Sequence, residues 1–113
     1  MVGLHINLVE NRWYMMSLAE QLANIGSEVG RAAKWQGKDD QKFSGAVRRT
    51  LELLNLTLED QRWRGRLFEV GRIKELFYNG VSGSKEYDMD LHDIEKYFYP
   101  FMSLVAKKYL KNF

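Results

Sequence analysis

The sequence predicts an all-α protein, an up-and-down antiparallel bundle of about four helices. Three observations carry that expectation. A single proline occurs among 113 residues, and the chain is rich in Leu, Ala, Glu, Lys and Arg, the residue types with high helix propensity. Apolar residues recur at steps of three and four along four stretches, which places them on one face of a helix. The breaks between those stretches are short and polar, which favours antiparallel neighbours. No repeat or linker divides the chain, so residues 1–113 read as one domain.

The first helix is expected over residues 10 to 35. Met15, Leu18, Leu22, Ile25 and Val29 make one apolar stripe, with Met16, Ala19, Ala23, Gly26, Gly30 and Ala33 as a second stripe beside it. Ser17, Glu20, Gln21, Asn24, Ser27, Glu28, Arg31 and Lys34 fall on the opposite side. The second stripe is nearly all Ala and Gly. Small residues at each turn let another backbone come close, against a loss of about 1 kcal/mol of helix propensity per glycine. The crossing partner is either another helix of this chain or a second copy of the protein. Ala19, Ala23, Gly26, Gly30 and Ala33 are therefore the candidate interface residues.

Gly37-Lys38-Asp39-Asp40 breaks the chain and supplies an acidic cap for a second helix over residues 41 to 58. Its apolar spine is Phe43, Val47, Leu51, Leu54 and Leu58, with Ala46, Thr50 and Leu53 alongside. A polar turn at 59 to 62 leads to a third helix over 65 to 78. Leu67, Val70, Ile73 and Phe77 cluster on one side of it, Phe68 and Leu76 flank them, and Lys74 falls within the apolar sector. A helix this broadly apolar lies centrally in a bundle or touches a partner. Asn79-Gly80 is expected to end it through a left-handed cap, with a loop over 81 to 89. The fourth helix starts at Asp90, where Asp90 and Asp93 resemble a capping box, and continues to Tyr109. Pro100 removes the bond to the Lys96 carbonyl and should kink or split it. The block Tyr97-Phe98-Tyr99-Pro100-Phe101 supplies core and rim rather than a ligand cage.

Composition excludes several function classes. There is no cysteine, which removes disulfides, thiolate zinc sites and cysteine nucleophiles. The N-terminus lacks a basic start followed by an apolar signal core, and no apolar run approaches the ~20 residues that span a bilayer. A soluble, cytoplasmic protein with no membrane partner is expected. Formal charge is +2, too balanced to imply a polyanion partner by itself. Only two histidines occur, His5 and His92, and no nucleophile-elbow, phosphate-loop or dinucleotide pattern appears. Glu28, Arg31 and His92 are nominal catalytic candidates and no more, so the expectation is a protein that is not an enzyme and has no cofactor. Asp88-Met89-Asp90-Leu91-His92-Asp93 carries metal-ligand residue types. It lacks the glycine of a calcium-binding loop and has Tyr99 where the twelfth-place glutamate belongs, and carboxylates at a helix start offset the dipole in any case. No metal site is expected.

The basic segment is the remaining candidate. Residues 42 to 74 hold eight basic side chains against four acidic ones, and Arg62-Trp63-Arg64-Gly65-Arg66 lies within them. Arginine forks suit phosphate, and an exposed Trp can stack on an unpaired base. Arg48, Arg49, Arg62, Trp63, Arg64 and Arg66 are thus the candidate nucleic-acid contacts. The plain alternative packs Trp63 inward and pairs the arginines with Glu59, Asp60 and Glu69.

The stretch from Gly30 to Asp60 has a polar break at 37 to 40, and Phe43-Ser44-Gly45-Ala46-Val47 then leads into Leu51-Glu52-Leu53-Leu54. This stretch, about a quarter of the chain, resembles the front half of HEPN domains. The resemblance implies a small helical bundle, often dimeric, of the kind found in prokaryotic toxin–antitoxin and RNA-processing systems. Nucleases of that family carry an Arg, four to six residues and then His. No arginine stands at that distance before His92 and none precedes His5, so ribonuclease activity does not carry over. The leading expectation is a non-enzymatic helical bundle that binds a second copy, as a homodimer, or a partner protein. The alternative is an RNA-binding bundle.

Overall fold

Ser17 and Glu20 decide where the first long helix begins. In the computed structural model, which describes residues 11–83 and 89–110, one helical turn over residues 11–14 is followed by a break, and α1 spans Leu18–Trp35. The Glu20 backbone N–H donates to Ser17 Oγ at 3.1 Å and the Ser17 N–H donates to Glu20 Oε1 at 3.2 Å. This reciprocal capping box satisfies donors that an unbroken helix from residue 10 would have used internally. The backbone bond with Ser17 is also the main reason the Glu20 carboxyl is held below its ordinary range. The break corrects the expected helix of residues 10 to 35. It also turns Met15 out of the apolar stripe, leaving it 86% exposed.

The second helix, α2, spans Asp40–Glu59 and is capped by Asp39, whose side chain accepts from the Lys42 N–H. Its buried line is Ala46, Thr50, Leu53, Leu54 and Thr57. Of the expected spine, Leu54 is fully buried, while Phe43, Val47, Leu51 and Leu58 are only partly buried at the edge of the core. The buried face is thus turned toward Ala46, Thr50 and Leu53, the residues expected alongside the spine. A short 3-10 turn, Gln61–Trp63, follows.

Gly65 has φ +97, a left-handed conformation that no α-helix accommodates, so α3 begins at Leu67 and not at Gly65. It runs Leu67–Ser82 and ends on Gly83 at φ +73, which moves the expected cap from Asn79-Gly80. Gly80 instead lies buried under the last helix, where an added Cβ would come within 2.7 Å of Leu91 Cδ2. Lys74, inside the apolar sector, donates to Asn55 Oδ1 at 2.7 Å. The broad apolar surface of α3 does not make it central. It buries Val70, Ile73, Phe77 and Gly80 and leaves Phe68 90% exposed.

The last helix, α4, spans Leu91–Leu110. Asp90 and Asp93 form its cap reciprocally, Asp93 N–H to Asp90 Oδ1 at 2.9 Å and Asp90 N–H to Asp93 Oδ2 at 3.2 Å. Pro100 does not split it. Lys96 and Pro100 are both exposed, so water can take the freed carbonyl. From the aromatic block Phe98 is fully buried, with the Tyr97 ring edge-on at 5.1 Å, and the Tyr97 hydroxyl donates to Glu69 of α3.

The four helices form an antiparallel bundle with no strand among the described residues. The closest packing is α1 on α4 and α1 on α2, so α1 is the central element. The core joins Ile25 and Val29 of α1, Leu54 of α2, Phe77 of α3, and Leu91, Ile94 and Phe98 of α4. No described helix is long and apolar enough to cross a membrane.

Candidate functional site

The Ala/Gly stripe meets α4 of the same chain. An ideal Cβ on Gly26 would stand 2.4 Å from Phe98 Cβ, and one on Gly30 would stand 2.5 Å from Glu95 Oε2. Ala23 and Ala33 are buried, while Ala19 is partly exposed near the start of α1. The close crossing that the small residues permit is thus made within the chain.

The basic segment divides in two. Arg62 and Trp63 follow the plain alternative and join a polar knot around Gln21, whose burial sequence reasoning missed. Gln21, placed on the solvent side of α1 by the sequence reading, is 0% exposed. Its Nε2 donates to the Trp13 carbonyl at 2.9 Å and to Asp60 Oδ2 at 3.1 Å. Its Oε1 accepts from Thr57 Oγ1 at 3.1 Å and Trp63 Nε1 at 2.9 Å. Trp13 Nε1 in turn donates to Thr57 Oγ1. All four hydrogen-bonding sites of the amide are satisfied, which is what a buried amide requires. Arg62 grips the buried Asp60 carboxylate, with its NH2 group 2.7 Å from Oδ2, and donates from the same group to the Met16 carbonyl at 2.9 Å. Its guanidinium lies 4.4 Å from the Trp63 ring centroid. The Arg62 hydrogen bonds are the chief reason Asp60 sits below the usual carboxylate range. One signal was available: Gln21 falls three residues after Leu18 and four before Ile25, on the apolar side as much as the polar one.

The other candidate arginines lie outside this knot. Arg64 and Arg66 are exposed, Arg66 making no side-chain cap bond to α3. Arg49 pairs with Glu52 of its own helix at 3.3 Å, and Arg48 is exposed. Among the described residues no group of three or more metal-ligand side chains comes together. His92 Nδ1 lies 3.8 Å from Glu95 Oε1, while His5 and Asp88 lie outside the described residues.

The feature with the shape of a docking site is a groove between the start of α1 and the end of α4. It encloses about 460 Å³ and is lined by Met16, Ala23, Ser27, Met102, Val105 and Tyr109, among others. Small residues on both walls, Ala23 and Ser27 facing Ala106, leave the space open beyond the tight Gly26–Phe98 contact. Glu20 and Lys108 face each other at its rim at 3.9 Å. Apolar side chains stand exposed beside it: Met15 just before α1, and Tyr109 and Leu110 at the end of α4. The sequence carried a partial signal, because Leu104, Val105, Tyr109 and Leu110 continue the apolar pattern of α4 past the point where α1 can cover it. No protein-family model matches the chain, and no curated protein or solved structure matches it either.

Proposed function

We propose that this protein is a non-enzymatic module that acts by binding a second copy of itself through the α1–α4 groove. The single observation that carries this reading is the pairing of a concave, small-walled groove with protruding apolar side chains on one face of the molecule. A two-fold contact needs a self-complementary patch, and a hole beside a knob meets that need: Tyr109 and Leu110 of one copy enter the groove of the other. Leu110 is 72% exposed in the single chain, and burying such side chains removes about 25 cal/mol for each Å² of apolar surface taken from water. Glu20 and Lys108 at the rim give each copy one charge of each sign, which two-fold pairing can match across the contact.

Light scattering across a concentration series tests the proposal. The wild-type protein should approach twice the 13.3 kDa chain mass, and Tyr109→Glu/Leu110→Glu should remain a monomer. Both side chains are exposed, so the double variant keeps its helical signal. A wild-type monomer at high micromolar concentration, or a double variant that still dimerises, would overturn this assignment.

A further inference from the structure

The connection between α2 and α3 leaves an aromatic ring standing in water. Phe68, in the first turn of α3, is 90% exposed. The buried residues of α3, Val70, Ile73, Phe77 and Gly80, lie on the opposite side of the helix. Along the outer line no apolar side chain stands next to the ring. Gly65 and Gly71 come three residues before and after it, and a Cβ on either would meet nothing within 4 Å. Arg72 and Glu75, one and two turns further on, pair at 3.6 Å. The ring is therefore open to a flat partner.

Two arginines just before it are unpaired. Arg64 and Arg66 are exposed, and neither makes an ion pair or a side-chain hydrogen bond among the described residues. The acids nearest in the chain do not neutralise them. Asp60 holds Arg62 at 2.7 Å, Glu69 accepts from the Tyr97 hydroxyl, and Glu59 makes no ion pair among the described residues. Residues 62 to 74 hold five basic side chains and one acidic one. Gly65, at φ +97, turns the chain between the two arginines, and the Arg66 N–H donates to the Trp63 carbonyl at 2.8 Å. Trp63 itself is engaged, its Nε1 bound to Gln21 and its ring next to the Arg62 guanidinium. Phe68 makes no such ring contact among the described residues.

A free ring and two free arginine forks within five residues call for a ligand that carries phosphates beside bare base faces. We propose that the 64–68 segment binds single-stranded nucleic acid, with one base stacked on Phe68 and the adjoining phosphates on Arg64 and Arg66. A duplex keeps its bases stacked on one another and offers the ring nothing. An acidic peptide would meet the arginines and leave Phe68 in water. A folded protein partner needs a cluster of apolar anchors, and no second apolar side chain adjoins Phe68 on this line. Stacking is tolerant of base identity, so the segment selects for a single strand and not for a sequence. It shares no residue with the α1–α4 groove and does not depend on self-association.

Fluorescence anisotropy with short labelled oligouridylate and oligothymidylate strands tests the proposal. The wild-type protein should bind at low salt and weaken as salt rises, and the tighter of the two strands names RNA or DNA. Phe68→Ala and Phe68→Leu should each weaken binding by about fivefold or more, while Phe68→Tyr stays within about twofold of wild type. Leucine keeps apolar surface but has no π-face, so its loss separates stacking from plain apolar contact. Arg64→Gln/Arg66→Gln should weaken binding and flatten the slope of log affinity against log salt by about 0.7 for each lost phosphate contact. Lys38→Gln/Lys42→Gln removes the same charge at the other end of α2 and should stay within about twofold of wild type. All of these side chains are exposed, so the variants keep the fold. Absence of binding to either strand at low salt would overturn the proposal. So would equal affinity for an RNA duplex or for polyglutamate, wild-type affinity in Phe68→Leu, or equal losses in the Lys38/Lys42 variant.

Discussion

The two halves of α1 are held in place by different physics. Near its start, Gln21 is fixed by four hydrogen bonds to partners drawn from the preceding turn, the end of α2 and the 3-10 turn. Further on, Gly26 and Gly30 are fixed by what they lack, since α4 occupies the volume a side chain would take. The polar knot selects its partners by direction, because each donor needs one acceptor in line. The glycine seam selects by shape alone. The knot therefore loses stability in steps as single groups are removed, whereas the seam fails abruptly where the opposing atom cannot move.

The largest expected effect separates the two most sharply. Gly26→Leu forces a side chain against Phe98 Cβ, an atom fixed directly to the α4 backbone. The helices must part, and the variant should lose about 3 kcal/mol or more, the upper end for an overpacked core, as read from urea unfolding. A loss below about 1 kcal/mol would mean that α1 and α4 separate freely and that no seam exists.

An intermediate effect is expected at the knot. Asp60→Asn keeps one acceptor but loses the charge that holds Arg62. Since the Arg62 side chain is 41% exposed, its freed charge stays hydrated, and the loss should be about 1–2 kcal/mol rather than that of a fully buried pair. The sign with pH follows from the lowered position of the Asp60 carboxyl. In the folded protein it releases its proton more readily than in the unfolded chain. Its contribution is full above the unfolded value of about 4 and fades as pH falls through the lower folded value. Unfolding free energies measured from neutral pH down to about pH 3 should show wild type and variant converging in acid. A constant gap would remove Asp60 from the titrating set.

The smallest effect tests how local the seam is. On Gly30 a Cβ meets only the Glu95 carboxylate, the free end of a flexible side chain. Glu95 can swing toward solvent, and alanine gains up to about 1 kcal/mol of helix propensity. Gly30→Ala should therefore lie within about 0.5 kcal/mol of wild type or slightly above it. A loss as large as that at Gly26 would show that Glu95 is held rigidly and that the seam extends a full turn further.

What the sequence determined by itself is the helical content and most of its boundaries. The steps of three and four in α2 and α4, the Asp39 cap and the reciprocal Asp90–Asp93 cap depend on residues within a turn of one another, and local spacing is enough to read them. The boundaries that moved did so through local chemistry as well: the Ser17–Glu20 box and the positive φ of Gly65 and Gly83 are short-range features open to a closer reading. Of the candidate sites, the Ala/Gly stripe was legible as a close crossing, but the identity of the crossing helix was not. Gly26 meets Phe98 across 72 positions of sequence, and periodicity says nothing about which helix lies opposite. Tertiary structure alone decided that Gln21 is buried and fully bonded, that of the two readings of the basic segment Trp63 and Arg62 take the one that bonds them to Gln21 and Asp60, and that Glu28, Trp35 and Arg49 share one depression. Each depends on which faces of two helices meet, and that is settled by the packing of the whole bundle at once.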